Sequence, residues 1–107
     1  MIVIRKTKAQ SEAPQITDEE RSLEVREEIR VILEDLIKRM VIQADSVVVK
    51  AEIGAKTTVY RVDCSKECIG YLIGVRGQNI MALRGVVKAL AGRHNIRAII
   101  EIPYFSP

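Results

Sequence analysis

Between the β-branched run at residues 57–63 and the apolar run at 96–102, the chain carries helical periodicity broken once, at Gly74 and Gly77. Two strands separated by about thirty residues of helix are joined by a right-handed crossover, so they lie parallel. The run at 46–53 alternates Val47, Val49, Ala51 and Ile53 against Ser46, Val48, Lys50 and Glu52, and only Gly54, Ala55 and Lys56 separate it from the run at 57–63. A connection that short makes an antiparallel hairpin. The run at 57–63 belongs to both pairings. The spacing therefore predicts an α+β fold in the order α-β-β-α-α-β, a mixed three-stranded sheet with helices packed on one face.

Ahead of the hairpin, Thr17, Asp18, Glu19 and Glu20 form a capping box whose acidic first turn suits the positive end of a helix dipole. The helix that follows is expected to bury Val25, Ile29, Ile32, Leu33, Leu36, Ile37 and Met40. It pairs Glu34 with Lys38 and Asp35 with Arg39 on its wet side and ends near 41–43. Ser65 is placed to cap a short helix carrying Cys68, Ile69, Leu72 and Ile73, and Gly74 to stop it. A third helix begins near Gly77 or Gln78, buries Ile80, Leu83, Val87 and Leu90, and stops around Gly92. In the last strand, at 96–102, Ile96, Ala98, Ile100 and Ile102 share a face. Residues 1–17, with Pro14 and no sustained period, read as a tail in which Met1 to Ile4 have the composition of a short strand; residues 18–107 form one domain.

The net charge of +3 is small, but its distribution is uneven. Residues 1–63 carry 11 basic and 12 acidic groups, whereas 64–97 carry Lys66, Arg76, Arg84, Lys88, Arg93 and Arg97 against Glu67 alone. No carboxylate occurs between Glu67 and Glu101, a stretch suited to an anion rather than to a mixed solvated surface. Cys64, Cys68 and His94 are too few for a four-ligand zinc site, and the two thiols read as reduced cysteines of a cytoplasmic protein. No apolar run reaches the ~20 residues a membrane helix requires, and the first residues lack the charge order of a secretory leader. Four aromatic residues, Tyr60, Tyr71, Tyr104 and Phe105, are not enough for a base-stacking sheet.

The informative segment is Ile73-Gly74-Val75-Arg76-Gly77-Gln78-Asn79-Ile80. Two glycines three apart between helices allow a tight turn without side chains in the way, and the next helix begins with unpaired N–H groups. A phosphate can approach there, favoured by the helix dipole and the Arg76 guanidinium. Along the third helix Met81, Arg84 and Lys88 form a ridge at i, i+3 and i+7 that starts beside this turn. A polynucleotide backbone leaving the turn meets Arg84 and then Lys88, and Met81 offers an adaptable apolar surface to a base.

The run IGYLIGVRGQNIMALRGVVKALAGRHNIRAIIEI resembles the core of KH domains, with their I-G-x-x-G loop at Ile73 to Gly77. The element order resembles the type II, prokaryotic KH arrangement, and ALRGVVKAL after the loop is most similar to the small bacterial KhpA group and the KH part of KhpB. The likeness spans residues 19–104 as an architecture, with its specific residues at 69–90. It implies single-stranded RNA binding, with no catalysis and no cofactor, in a cytoplasmic RNA chaperone or post-transcriptional regulator. Gly74, Val75, Arg76 and Gly77 carry over onto a clamp for the backbone of about four unpaired nucleotides, the bases lying in an adjacent groove. The expected RNA contacts are Ile73, Gly74, Val75, Arg76, Gly77, Gln78, Met81, Arg84 and Lys88. The resemblance also implies pairing with a second copy or a KhpB-like protein. Val75 stands where family members often carry a basic residue, leaving Arg76 as the single loop charge.

A reading of another class is a KH-fold protein–protein adaptor or dimerisation module with weak or lost RNA affinity, and Val75 is its support. For an enzyme the residues are lacking. Gly77 is followed by Gln78 and not by the lysine and hydroxyl residue of a Walker loop, and no nucleophile elbow occurs. Capping accounts for the carboxylates at 18–20, core packing for Cys68, and a surface turn for His94.

Overall fold

The computed structural model describes residues 18–103. The expected tail, the short strand expected at Met1 to Ile4, the expected cap at Thr17 and the last four residues of the chain lie outside them. The order is α1 (Asp18–Met40), β1 (Val48–Ile53), β2 (Thr58–Asp63), α2 (Lys66–Ile73), α3 (Gln78–Gly92) and β3 (Ala98–Glu101). The sheet order is β1-β2-β3, with β1 antiparallel and β3 parallel to the central β2, and with Ala51, Tyr60 and Ile100 in one row across it. This is the mixed, three-stranded α+β fold expected, and it is consistent with a type II KH arrangement.

The core lies between one face of the sheet and the helices. Val25, Ile29, Leu33 and Ile37 of α1 are buried at a strict four-residue spacing, together with Val49, Tyr60 and Val62 of the sheet and Leu72, Ile80, Leu83, Val87 and Ala91 of the crossover helices. Leu36 and Met40 pack partly against this core, whereas Ile32 is exposed. A four-residue step turns 400° on a helix, so the buried stripe drifts and leaves Ile32 behind it.

Both expected i,i+4 pairs form, Lys38 Nζ to Glu34 at 3.7 Å and Arg39 Nε to Asp35 at 3.1 Å. Glu34, however, is not simply on the wet side. Its Oε2 accepts the Val49 N–H at 2.9 Å, and Arg30 donates to the Val49 carbonyl at 3.1 Å. These are outward-facing groups of an edge strand, so α1 closes part of the β1 edge with its own side chains.

Ser46 and Val47, expected in β1, precede it. Residues Ala44–Ser46 form a 3₁₀ turn in which the Ser46 hydroxyl donates to the Gln43 carbonyl at 2.8 Å, a local bond that competes with strand pairing. Ser65 holds the N-cap position of α2 in extended backbone, but its hydroxyl donates to Gln43 Oε1 at 2.6 Å and makes no capping bond. The last strand is shorter than the run at 96–102 because Ile96 N–H bonds the Ala91 carbonyl at 3.0 Å, closing the end of α3, where Asn95 takes a positive φ of 58°. The face holding Ile96, Ala98, Ile100 and Ile102 is inward as expected.

At the centre of β2, Tyr60 is fully buried and its hydroxyl donates to the Arg26 carbonyl at 2.8 Å, while Arg26 Nε donates to the buried Thr58 hydroxyl at 2.7 Å. Burial pushes the Tyr60 phenol up to about 12 from an ordinary 10. A folded-state value above the unfolded one means that the contribution of the neutral phenol is complete below pH ~10 and is lost as pH rises toward ~12. Denaturant unfolding should therefore show the wild type losing about 2 kcal/mol more than Tyr60→Phe between pH ~9 and ~11.5. Equal losses in the two proteins would show that this phenol titrates normally.

Candidate nucleic-acid interface

The turn between α2 and α3 takes positive φ at three of four positions: Gly74 at 77°, Arg76 at 57° and Gly77 at 73°. Gly74 N–H closes α2 on the Gly70 carbonyl at 2.9 Å, and Gly77 N–H closes the turn on the Gly74 carbonyl at 3.1 Å. The two glycines are not equivalent. A Cβ on Gly74 would stand 2.7 Å from Asn79 Cγ and 2.9 Å from Asn79 N, whereas on Gly77 the nearest atom would be Ile80 Cγ2 at 3.9 Å. Crowding and conformation both require glycine at 74; conformation alone favours it at 77. Arg76 adopts the left-handed region without that freedom, at a cost of about 1 kcal/mol, and its side chain is exposed.

Asn79 was not among the residues expected at the site. Its Nδ2 donates to the Tyr71 carbonyl at 2.8 Å, tying the first turn of α3 to the last turn of α2 and setting how sharply the chain bends. An asparagine two residues after the second glycine is the sequence signal for it, legible only once the two helices are known to meet. The N-cap of α3 is Gly77, so no side chain caps its first N–H groups. Val75 and Met81 are 76% and 64% exposed, Gln78 is exposed, and Ile73 is half-buried against the core.

Arg84 and Lys88 lie farther along α3 than the turn. They line a groove of about 620 Å³ between α3 and the last strand, together with Val87, Gly92 and residues 96–100. Its lining is mostly apolar, its charged members are Arg84, Lys88 and Arg97, and none is acidic. Arg97 and the exposed Ile99 were absent from the expected contacts; the acid-free run held the signal for Arg97, but nothing in the spacing places β3 opposite Arg84. Met81 does not line the groove; along α3 it falls between Gly77 and Arg84. A second hollow of about 590 Å³ lies between α1 and β1, where Arg26 and Arg30 are already engaged with Thr58, Glu27 and Val49. Among the described residues no group of three metal-ligating side chains occurs, and no helix is long and apolar enough to cross a membrane.

The family model of the KhpA/KhpB KH domain matches residues 30–102, from the middle of α1 through β3. The chain belongs to the KhpA/KhpB KH-domain family. A protein named RNA-binding protein KhpA from Chlamydia pneumoniae is 34% identical over 67 residues, covering 63% of this chain and 86% of that protein. One of the same name from Clostridium acetobutylicum is 31% identical over 74 residues, covering 69% and 99%; a third, from Borreliella burgdorferi, is 33% identical over 71 residues, covering 66% and 87%. In this KH domain the matched region includes the whole turn, the groove and all nine expected contact residues.

Proposed function

We propose that this KH domain binds single-stranded RNA, without catalysis, as a cytoplasmic RNA chaperone or post-transcriptional regulator. The phosphate backbone rests on the turn at Gly74, Val75, Arg76 and Gly77, beside the N–H groups that open α3, and the bases follow α3 into the groove lined by Arg84, Lys88 and Arg97. The observation that carries this reading is the continuity of the turn with the groove: one helix begins at the glycine-bounded bend, where no side chain caps it, and supplies basic residues to the wall of an acid-free, mostly apolar channel. The names of the KhpA relatives support it.

A second reading, pairing with another copy or with a KhpB-like protein in place of RNA, is favoured by Val31 and Ile32 on α1 and Val86 on α3, all more than 40% exposed on helices that pack together. One titration separates the two. Adding an eight-nucleotide RNA should move the amide NMR signals of residues 74–78, and log affinity against log salt should fall with a slope of about −1.5 to −3, as two to four phosphate contacts require. Unmoved signals in dilute buffer, with a dimeric mass in light scattering, would establish the adaptor instead.

A further inference from the structure

Nucleic-acid grooves gain affinity from rings as well as from charge, and this chain has few rings to offer. Tyr60 is buried, Tyr104 and Phe105 lie outside the described residues, and Tyr71 is 48% exposed. Tyr71 stands in the last turn of α2, three residues before Gly74. Its main chain is tied to the start of α3 by the Asn79 bond at 2.8 Å, so the ring is based at a defined place beside the bend. Gly70 precedes it, and a Cβ there would meet nothing within 4 Å, which leaves that flank open. Val75 and Met81, the most exposed large apolar residues of this region, follow Gly74 in the chain, Val75 in the turn and Met81 in the first turn of α3. Single exposed apolar side chains are ordinary, but these three bracket one bend that also holds Arg76.

We propose that Tyr71 is a base-stacking residue: the nucleobase beside the phosphate held at residues 74–77 lies on its phenol face, with Val75 and Met81 extending the apolar surface. The inference rests on the RNA reading above and adds to it a contact that needs no charge. A ring accepts any base but favours purines, which stack more strongly, so the site should discriminate by base size.

The test uses eight-nucleotide oligoadenylate and oligouridylate with the full chain. Tyr71→Ala should bind oligoadenylate about 5- to 20-fold more weakly and lose less on oligouridylate, and Tyr71→Phe should stay within about twofold of the wild type. The salt slope of Tyr71→Ala should match the wild type, since no phosphate contact is removed. The chain has no tryptophan, so Tyr71→Trp supplies a single indole whose emission should be quenched by oligoadenylate. If Tyr71→Ala binds as the wild type and the indole emission does not change while the Gly77 amide still moves, the clamp stands and stacking is wrong. If neither the Gly77 amide nor the indole responds, the RNA reading falls and the stacking with it. An altered mass in light scattering with unaltered affinity would assign the ring to a protein contact and overturn the proposal.

Discussion

Replacing Gly74 with alanine should cost about 3 kcal/mol of stability, and replacing Gly77 with alanine about 1. At 74 the new methyl meets Asn79 Cγ, Nδ2 and N at 2.7, 2.8 and 2.9 Å while the backbone holds a φ of 77°. The side chain of Asn79 can retreat only by breaking its bond to the Tyr71 carbonyl, which adds about 1 kcal/mol, and its backbone nitrogen can retreat only by moving α3. At 77 the methyl lies 3.9 Å from its nearest neighbour, so the left-handed conformation is the whole penalty. In thermal unfolding the Gly74 variant should melt on the order of 10 to 20 °C lower, about three times the shift at Gly77. Equal shifts would mean that the bend relaxes around either methyl.

This inequality dictates how RNA binding is tested. Any substitution at Gly74 confounds affinity with folding, whereas Gly77, at φ 73° and ψ 17°, occupies the region that Asn and Asp tolerate. Gly77→Asp and Gly77→Asn have nearly the same shape and differ in one negative charge. In dilute buffer the aspartate variant should bind an eight-nucleotide RNA about ten- to fiftyfold more weakly than the asparagine variant, through repulsion of a phosphate a few ångströms away. The gap should narrow as salt is raised toward ~0.5 M. Matched affinities at low salt would place the phosphates away from this turn, and the proposed clamp would be wrong.

Much of the fold was legible along the chain because its causes are local. The four-residue rhythm of Val25, Ile29, Leu33 and Ile37, the alternation at 47–53 and the two glycines at 74 and 77 each report on neighbours within a turn or a strand. The pairs Glu34–Lys38 and Asp35–Arg39 follow from helix geometry alone. Where local logic misled, a partner from elsewhere in the chain had taken the group. Ser65 looked like a cap, but Gln43, 22 residues away, accepts its hydroxyl; Glu34 looked solvated, but Val49, 15 residues away, donates to it. The candidate site divides the same way. Its turn, its arginine and the Arg84–Lys88 ridge stand out in the sequence, whereas Asn79, Arg97 and Ile99 acquire their places only from what faces them.

The order of residues by itself determined which segments become helix or strand, how the strands pair, and that the bend between α2 and α3 turns on two glycines. Periodicity and turn chemistry act over a few residues and survive without knowledge of the rest. Only the tertiary structure decided that Gly74 is immovable and Gly77 is not, that Arg84 and Lys88 face β3 across a groove, and that Tyr71 stands exposed at the bend. Those facts are distances between elements, and a distance across the fold is set by the packing of the whole core.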